Sequence, residues 1–404
     1  MSAREVSLPD RFQGGRSLMM GGAAGGLVLV IATLAGLAMG EEQARHTMFS
    51  YLVAFAYWGG ISMASVLLLM IFHAFGAKWM VVLRRPLEAM ATSVALFAVL
   101  FIPIIFGMKL LYVWVDPTAH AELGREALKV LAHKARYLNQ PFFIARTGFY
   151  FLALIFVSAR LFGWSTKQDE SGAVELTRRQ RVLGTGALPF MALIFTFAGV
   201  DWLMTLNPLW FSTIFGVYYF AGSFVSVFSL LAIVAYRARG KNQFGDYVNV
   251  EHIHNVGKLM LSFTAFWGYI AFSQFMLIWI ANLPEEIPFF MVRFKPAWVP
   301  LGVILIFGQF FIPFGALLSR SLKRDPRRLA GVALFILAVH YVDIYWLVVP
   351  ALSPDSVAFH WTNVTAFLGI GLLAVSFTVW RLRGRFAIPV KDPYLADSLR
   401  YRQP

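Results

Sequence analysis

Ten stretches of this chain stay apolar for about twenty residues or more, the length an α-helix needs to cross the hydrocarbon core of a bilayer. They cover residues 17–39, 49–76, 86–108, 141–163, 182–206, 211–236, 254–282, 297–318, 329–350 and 358–381. Inside a bilayer every backbone N–H and C=O must be satisfied within the protein, which a helix does locally. The chain is 59% hydrophobic and 14% charged, with a mean hydropathy of +0.66. Soluble domains are about 45–50% apolar and about 25% charged, so the expected class is an all-α integral membrane protein with ten transmembrane helices. The first run follows Arg4, Arg11 and Arg16, like the charged start of a signal peptide. Its apolar stretch is too long for one and no small-x-small cleavage site follows, so a retained helix is expected.

The formal charge is +14. If both termini lie inside, the inner segments hold 25 of the 35 Lys and Arg residues, the outer segments 8, and two (Arg146 and Lys258) fall within helices. Every inner connection is basic, as the positive-inside rule requires. The basic balance is therefore topological and does not point to nucleic acid. With no cysteine, the chain has no disulfide, no thiolate ligand for zinc or iron–sulfur, and no CxxCH haem attachment. Haem b needs two histidines at matched depth, and His73 and His340 lie at different depths. Walker, GxGxxG, HExxH and GxSxG motifs are absent.

Three segments outside the spans carry expectations of their own. The outer connection 109–140 contains an amphipathic stretch with Leu123, Ala127, Leu128 and Leu131 on one face. The inner connection 165–181 is polar and expected to be mobile. The polar tail from 383 onward is expected to lie along a neighbouring subunit or to stay flexible. In the first span GGAAGG (21–26) offers two GxxxG pairs, Gly21/Gly25 and Gly22/Gly26, for close contact within the chain or with another subunit.

An internal repeat is legible. AGVDWLMTLNP (198–208) and AVHYVDIYWLVVP (338–350) each place an aspartate seven residues before a proline, Asp201 before Pro208 and Asp343 before Pro350. The second and sixth spans share an aromatic, small-residue and serine pattern, and the fourth and eighth end in VSARL and LSRSL. Helices 2–5 and 6–9 are thus expected to form two parallel-repeat four-helix bundles flanked by helices 1 and 10. As domains this gives an N-terminal segment with helix 1 (1–48), a first bundle (49–208), a second bundle (209–350), and helix 10 with the tail (351–404).

An aspartate at a bilayer centre costs about 2.5–3.5 kcal/mol on insertion scales, so Asp201 and Asp343 require an account. Seven residues of helix put each roughly 10 Å below its proline, in the outer half of the membrane. His340 shares a helix face with Asp343. Such groups suit proton transfer; equally, they can be helix–helix hydrogen bonds. Ser273, Gln274 and Gln309 can extend a polar line in the second bundle. On the inner side His73, Glu88, His252, His254 and Lys258 are candidates for proton uptake, with Lys258 expected to snorkel and Glu88 expected in a surface ion pair with Arg84 and Arg85. Arg146 is a candidate charge partner for Asp201 or for an anionic group of a partner.

Longer runs carry a resemblance. WFSTIFGVYYFAGSF (210–224), HIHNVGKLMLSFTAFWGYIAFSQFMLIWIANLPEE (252–286), HYVDIYWLVVP (340–350), KDPYLADSLR (391–400) and, more thinly, KARYLNQPFFIAR (134–146) resemble the ActF family. These are the smaller of the two polysulfide-reductase-type (NrfD-like) membrane subunits of bacterial alternative complex III. The resemblance implies two four-helix bundles and a place in the cytoplasmic membrane, inside a complex that oxidises menaquinol or another quinol. Such a complex passes electrons to a cytochrome c or directly to a terminal oxidase. It implies partners: a quinol-binding NrfD-like sister subunit, an iron–sulfur/molybdopterin-type subunit, and multihaem cytochrome c subunits that carry the haem c. This chain would hold no cofactor or redox centre, and would supply a proton path and a scaffold. Two other classes stay open on the residues alone, a stand-alone secondary transporter and a purely structural membrane anchor. A transporter built from two repeats predicts broken helices at matching positions of both halves.

Overall fold

Apolar length sets the number of helices, and the polar turns at their ends set where each begins and stops. The computed structural model describes residues 11–116, 118, 123–239 and 247–402; Arg4 and Lys241 of the basic inner segments lie outside them. Ten helices among the described residues are long and apolar enough to cross a membrane: α1 (Arg16–Ala38), α2 (Glu41–Ala74), α3 (Lys78–Phe106), α4 (Gln140–Ser171), α5 (Val174–Leu206), α6 (Phe215–Arg237), α7 (Val250–Ala281), α8 (Val299–Leu318), α9 (Pro326–Ala351) and α10 (Trp361–Leu382). The chain is a multi-pass, all-helical membrane protein.

Several helices run past their apolar cores. α2 begins at Glu41, not 49, because Glu41 and Glu42 occupy its first turn, where acidic side chains meet the positive end of the helix dipole. The boundary expected at residues 48/49 therefore falls inside α2. The expected mobile connection 165–181 is instead helical: α4 continues to Ser171 and α5 starts at Val174, with Gly172 at φ 67° ending α4 in the left-handed region that glycine adopts without strain. Asn139, Asn249 and Asp325 cap α4, α7 and α9 by accepting backbone N–H groups.

Two helices are irregular. α3 is loosened at residues 92–93 and 101. α8 carries a π-turn over Leu305–Phe311. Pro313 follows it, donates no backbone N–H and crowds the preceding turn, which accounts for the widening.

α2 is buried along nearly all of its apolar length. It packs on α3, α4, α5, α6, α9 and α10. α6 packs on α7 and α9, α8 on α7 and α9, and α1 on α10. The GxxxG pairs separate here. Gly22 and Gly26 meet α10, where a Cβ on Gly26 would sit 2.9 Å from the Gly369 carbonyl, while Gly21 has nothing against it.

The tail does not wait for a neighbour. Ile388 and Ser398 are fully buried, and the segment folds back across the end of the molecule where α1 begins and α10 stops. Arg84 bonds Glu88 (3.0 Å) and Asp392 (2.6 Å), and Arg85 bonds Asp169 (2.6 Å). The backbone N–H of Val390 donates to Asp169 at 3.1 Å. Ser398 donates to the Trp79 carbonyl at 2.9 Å, and Asn249 to the Tyr401 carbonyl at 3.1 Å. A polar segment is retained because its carboxylate meets a buried guanidinium and its carbonyls meet side-chain donors. Glu88 is correspondingly no surface residue: it is fully buried between two arginines. Asp392→Asn removes a charged hydrogen-bond acceptor from Arg84 and is expected to destabilise the chain by about 1.5–3 kcal/mol, read as a lowered unfolding temperature of the detergent-solubilised protein.

Candidate functional site: two buried carboxylates

The C-terminal ends of α5 and α9 converge on one face of the molecule. A small cavity of about 60 Å³ separates them, lined among others by Asn207, Arg293, Leu347 and Pro350. It has room for a few water molecules. About two turns inward from each proline lies its aspartate, and the two acids are treated differently.

Asp201 is fully buried and saturated. Arg146 on α4 grips it with two bonds, Nε to Oδ2 at 2.9 Å and Nη2 to Oδ1 at 3.0 Å. Tyr137 donates to Oδ1 at 2.9 Å and Tyr150 to Oδ2 at 2.8 Å. Arg146 in turn donates to the Tyr137 carbonyl at 2.9 Å, and its guanidinium lies 3.8 Å from the Tyr137 ring centre and 4.4 Å from that of Phe142. A bidentate pair with both oxygens further bonded meets the conditions under which a buried ion pair holds. Burial and the Asp201 charge push the Tyr137 hydroxyl up, so it stays a donor. Lys134 from the same connection donates to the Pro208 carbonyl at 2.7 Å. The stretch 134–146 thus clamps the end of α5 at both the acid and the proline. The short helix Arg125–Lys134 precedes it, with Leu131 buried and Leu128 exposed.

Asp343 has no such cation. Tyr218 on α6 donates to its Oδ1 at 2.5 Å, and His340 Nδ1 stands 3.3 Å from Oδ2. His340 is fully buried, and neither of its ring nitrogens has a hydrogen-bond partner. The imidazole lies against Tyr57 of α2, ring centres 5.2 Å apart. Room for it comes from Gly222, where a Cβ would sit 2.7 Å from His340 Cε1 and 3.2 Å from Asp343 Oδ2. Arg293, buried nearby, spends its donors on backbone: the carbonyls of Trp346 (3.2 Å), Leu347 (3.0 Å) and Phe289 (2.7 Å). It thereby satisfies carbonyls at the end of α9, where a cation also meets the negative end of the dipole. Burial lowers the Arg293 guanidinium to about 9, so it is still charged at neutral pH.

The remaining candidates divide. Gln274 and Gln309 are buried, with Gln274 Nε2 and both amide atoms of Gln309 unpartnered; Gln309 lies on the π-turn of α8, which packs on α7. Ser273 is half-buried and turned roughly 100° from Gln274 around α7. At the opposite face His252 accepts the Asn249 N–H at Nδ1 (3.0 Å) and meets the Ser398 carbonyl at Nε2 (3.1 Å), which fixes a neutral tautomer in a structural role. His254 lies 3.9 Å from Glu251, His73 is buried at the end of α2 against Gly184, and Lys258 is half-buried. These groups are distributed around the rim, not gathered in one cluster. Among the described residues no group of three or more His, Asp or Glu is arranged to hold a metal ion.

Sequence reasoning found the acids, His340 and Arg146, but missed Tyr137, Tyr150, Tyr218 and Arg293. Tyr150 was within reach, one turn from Arg146 on the same helix face. Tyr218 and Arg293 come from other elements and leave no local signal. Comparison with protein-family models and with curated protein sequences gives no match.

Proposed function

We propose that this chain is a proton-handling and scaffolding subunit of a membrane-bound quinol-oxidising complex of the alternative complex III type, with the proton work confined to His340 and Asp343. The observation that carries the reading is the asymmetry of the two acids. Asp201 is neutralised by Arg146 and saturated, whereas Asp343 shares its pocket with a tyrosine hydroxyl and an imidazole whose nitrogens are uncommitted. Imidazole and carboxylate in contact exchange a proton at little cost, and intramembrane pairs of this kind mark proton relays. Gln274 and Gln309 carry amide atoms that water can bond, and the small cavity, where Asn207 and Arg293 stand among mostly apolar neighbours, begins about one turn beyond Asp343, at Leu347.

In this reading α2–α5 and α6–α9 are the two four-helix bundles of an NrfD-like fold, related as parallel repeats. Their mutual packing, and an arginine bracing the end of each acid-bearing helix, support that arrangement. The irregular helices speak against a transporter built from the same repeats: α3 and α8 are not equivalents, and their counterparts α7 and α4 are continuous. Both termini would lie in the cytoplasm, with the basic connections. Electrons would travel through haem and iron–sulfur groups of partner subunits, the quinol pocket would belong to the sister subunit, and protons alone would pass here.

Mild-detergent purification through a tag on this chain tests the assembly. It is expected to bring down multihaem c-type cytochrome, seen as haem absorbance co-eluting with quinol oxidation activity. A monodisperse, haem-free chain from membranes that contain such cytochromes would overturn it.

A further inference from the structure

We propose that the cleft between α4 and α10, on the face where α1 begins and α10 stops, is a headgroup site for an anionic phospholipid. The cleft measures about 530 Å³ and is lined by Arg11, Lys167, Arg381, Arg383, Arg385 and Trp380, a volume suited to a small polar ligand.

Its cations are held in place without carboxylates. Arg11 donates to the Gly384 carbonyl at 3.2 Å. Arg383 donates to the carbonyls of Gln13 and Gly14, each at 2.8 Å. Arg385 donates to the Arg381 carbonyl at 2.5 Å, and Arg381 to the Thr92 hydroxyl at 3.2 Å. Arg381 and Arg385 also share one ring, lying 4.4 and 4.5 Å from the centre of Phe162. Like charges gathered this way repel unless an anion joins them, and burial with the nearby Arg85 charge already pushes Arg385 down. Two acids line the cleft as well. Asp169 is taken up by Arg85 and the Val390 N–H, and Glu170 stands exposed at the rim. The cleft keeps a surplus of positive charge and presents guanidinium donors suited to phosphate oxygens.

The surrounding surface says which phosphate. Leu152, Phe156, Arg160, Gly163 and Lys167 recur every three or four residues along α4 and are all exposed, with Leu152 at 70% and Phe156 at 54%. One helix face thus runs from bare hydrocarbon into the basic cleft. α3, which packs on both α4 and α10, shows Val99, Ile102 and Phe106 exposed, a bed for acyl chains. Trp380 at the rim is half-exposed, as an indole at headgroup depth should be. A soluble phosphate would use the cleft alone; a phospholipid uses both the cleft and the apolar faces. Basic pockets between membrane helices take such headgroups.

Native mass spectrometry of the delipidated full-length chain, titrated with dioleoyl phosphatidylglycerol or dioleoyl phosphatidylcholine, tests this. One phosphatidylglycerol should be retained with roughly fivefold or greater preference over phosphatidylcholine, the weight of one interfacial charge or more. Lys167→Glu, at an exposed side chain, should lower that retention at least about fivefold while leaving the unfolding temperature unchanged; Arg385→Gln should act in the same direction. Equal retention of the two lipids, or undiminished binding in both variants, overturns the proposal. So does displacement of the lipid by inorganic phosphate at equal concentration, which would mark a site for soluble anions.

Discussion

Asp201→Asn is expected to cost the fold about 3–5 kcal/mol, the penalty for leaving one partner of a buried ion pair uncompensated. The variant keeps a carbonyl oxygen for one tyrosine but strands the Arg146 guanidinium between the Tyr137 and Phe142 rings with no counter-charge. For a chain of this size the unfolding temperature should fall by on the order of 3–6 °C, and yield from membranes should fall with it. Arg146→Met should do comparable damage from the other side. Arg146→Met combined with Asp201→Asn should recover part of the loss, because removing both charges of a buried pair is far less costly than removing one. Thermal unfolding of the four proteins in detergent gives this coupling directly. Full stability of Asp201→Asn with loss of proton release would reverse the roles assigned to the two acids.

The ten spans were readable because hydrocarbon thickness imposes a length on apolar runs that no other constraint imitates. Helix ends were less readable: α2 begins in EEQARHTM, whose polarity marks it as outside the hydrocarbon without marking it as non-helical. The Arg146–Asp201 pair was foreseeable from two opposite charges at similar depth. Of the two tyrosines that complete it, Tyr150 was within reach on the Arg146 helix but Tyr137 belongs to a connection; Tyr218, which bonds Asp343, comes from a different helix. The tail was misread because a polar, proline-punctuated composition describes a solvated segment and a docked one equally well. What docks it is Asp392 meeting Arg84, 308 positions apart in sequence, a contact that composition does not encode. The π-turn of α8 had a local sign in Pro313; its consequence, unpartnered Gln309 amide atoms inside the membrane, needed the fold.

Asp343→Asn is expected to leave the fold standing and to lower quinol-driven proton release by about a hundredfold or more, since a positioned proton-transfer group contributes about 10²–10⁴-fold. The two expectations separate because the amide oxygen still accepts the Tyr218 hydroxyl, and no buried cation is stranded: Arg293 spends its donors on the carbonyls of Phe289, Trp346 and Leu347. What the amide does not do is take a proton from His340. His340→Gln should therefore match Asp343→Asn in proton release. The measurement is made on the intact complex in sealed vesicles, with electron delivery to the acceptor followed alongside proton release. Loss of both signals together would point to failed assembly, and the reading requires the assembled complex to retain its haem content. Unchanged proton release in an assembled Asp343→Asn complex would make the pair a packing element, and the chain a membrane anchor. Asp343→Glu sharpens the distinction. Its carboxylate is chemically competent but one methylene longer, in a space bounded by Gly222, where a Cβ would already sit 3.2 Å from the Asp343 carboxylate. A relay should keep partial activity with Glu and none with Asn, whereas a packing role should tolerate the isosteric Asn better than the longer Glu.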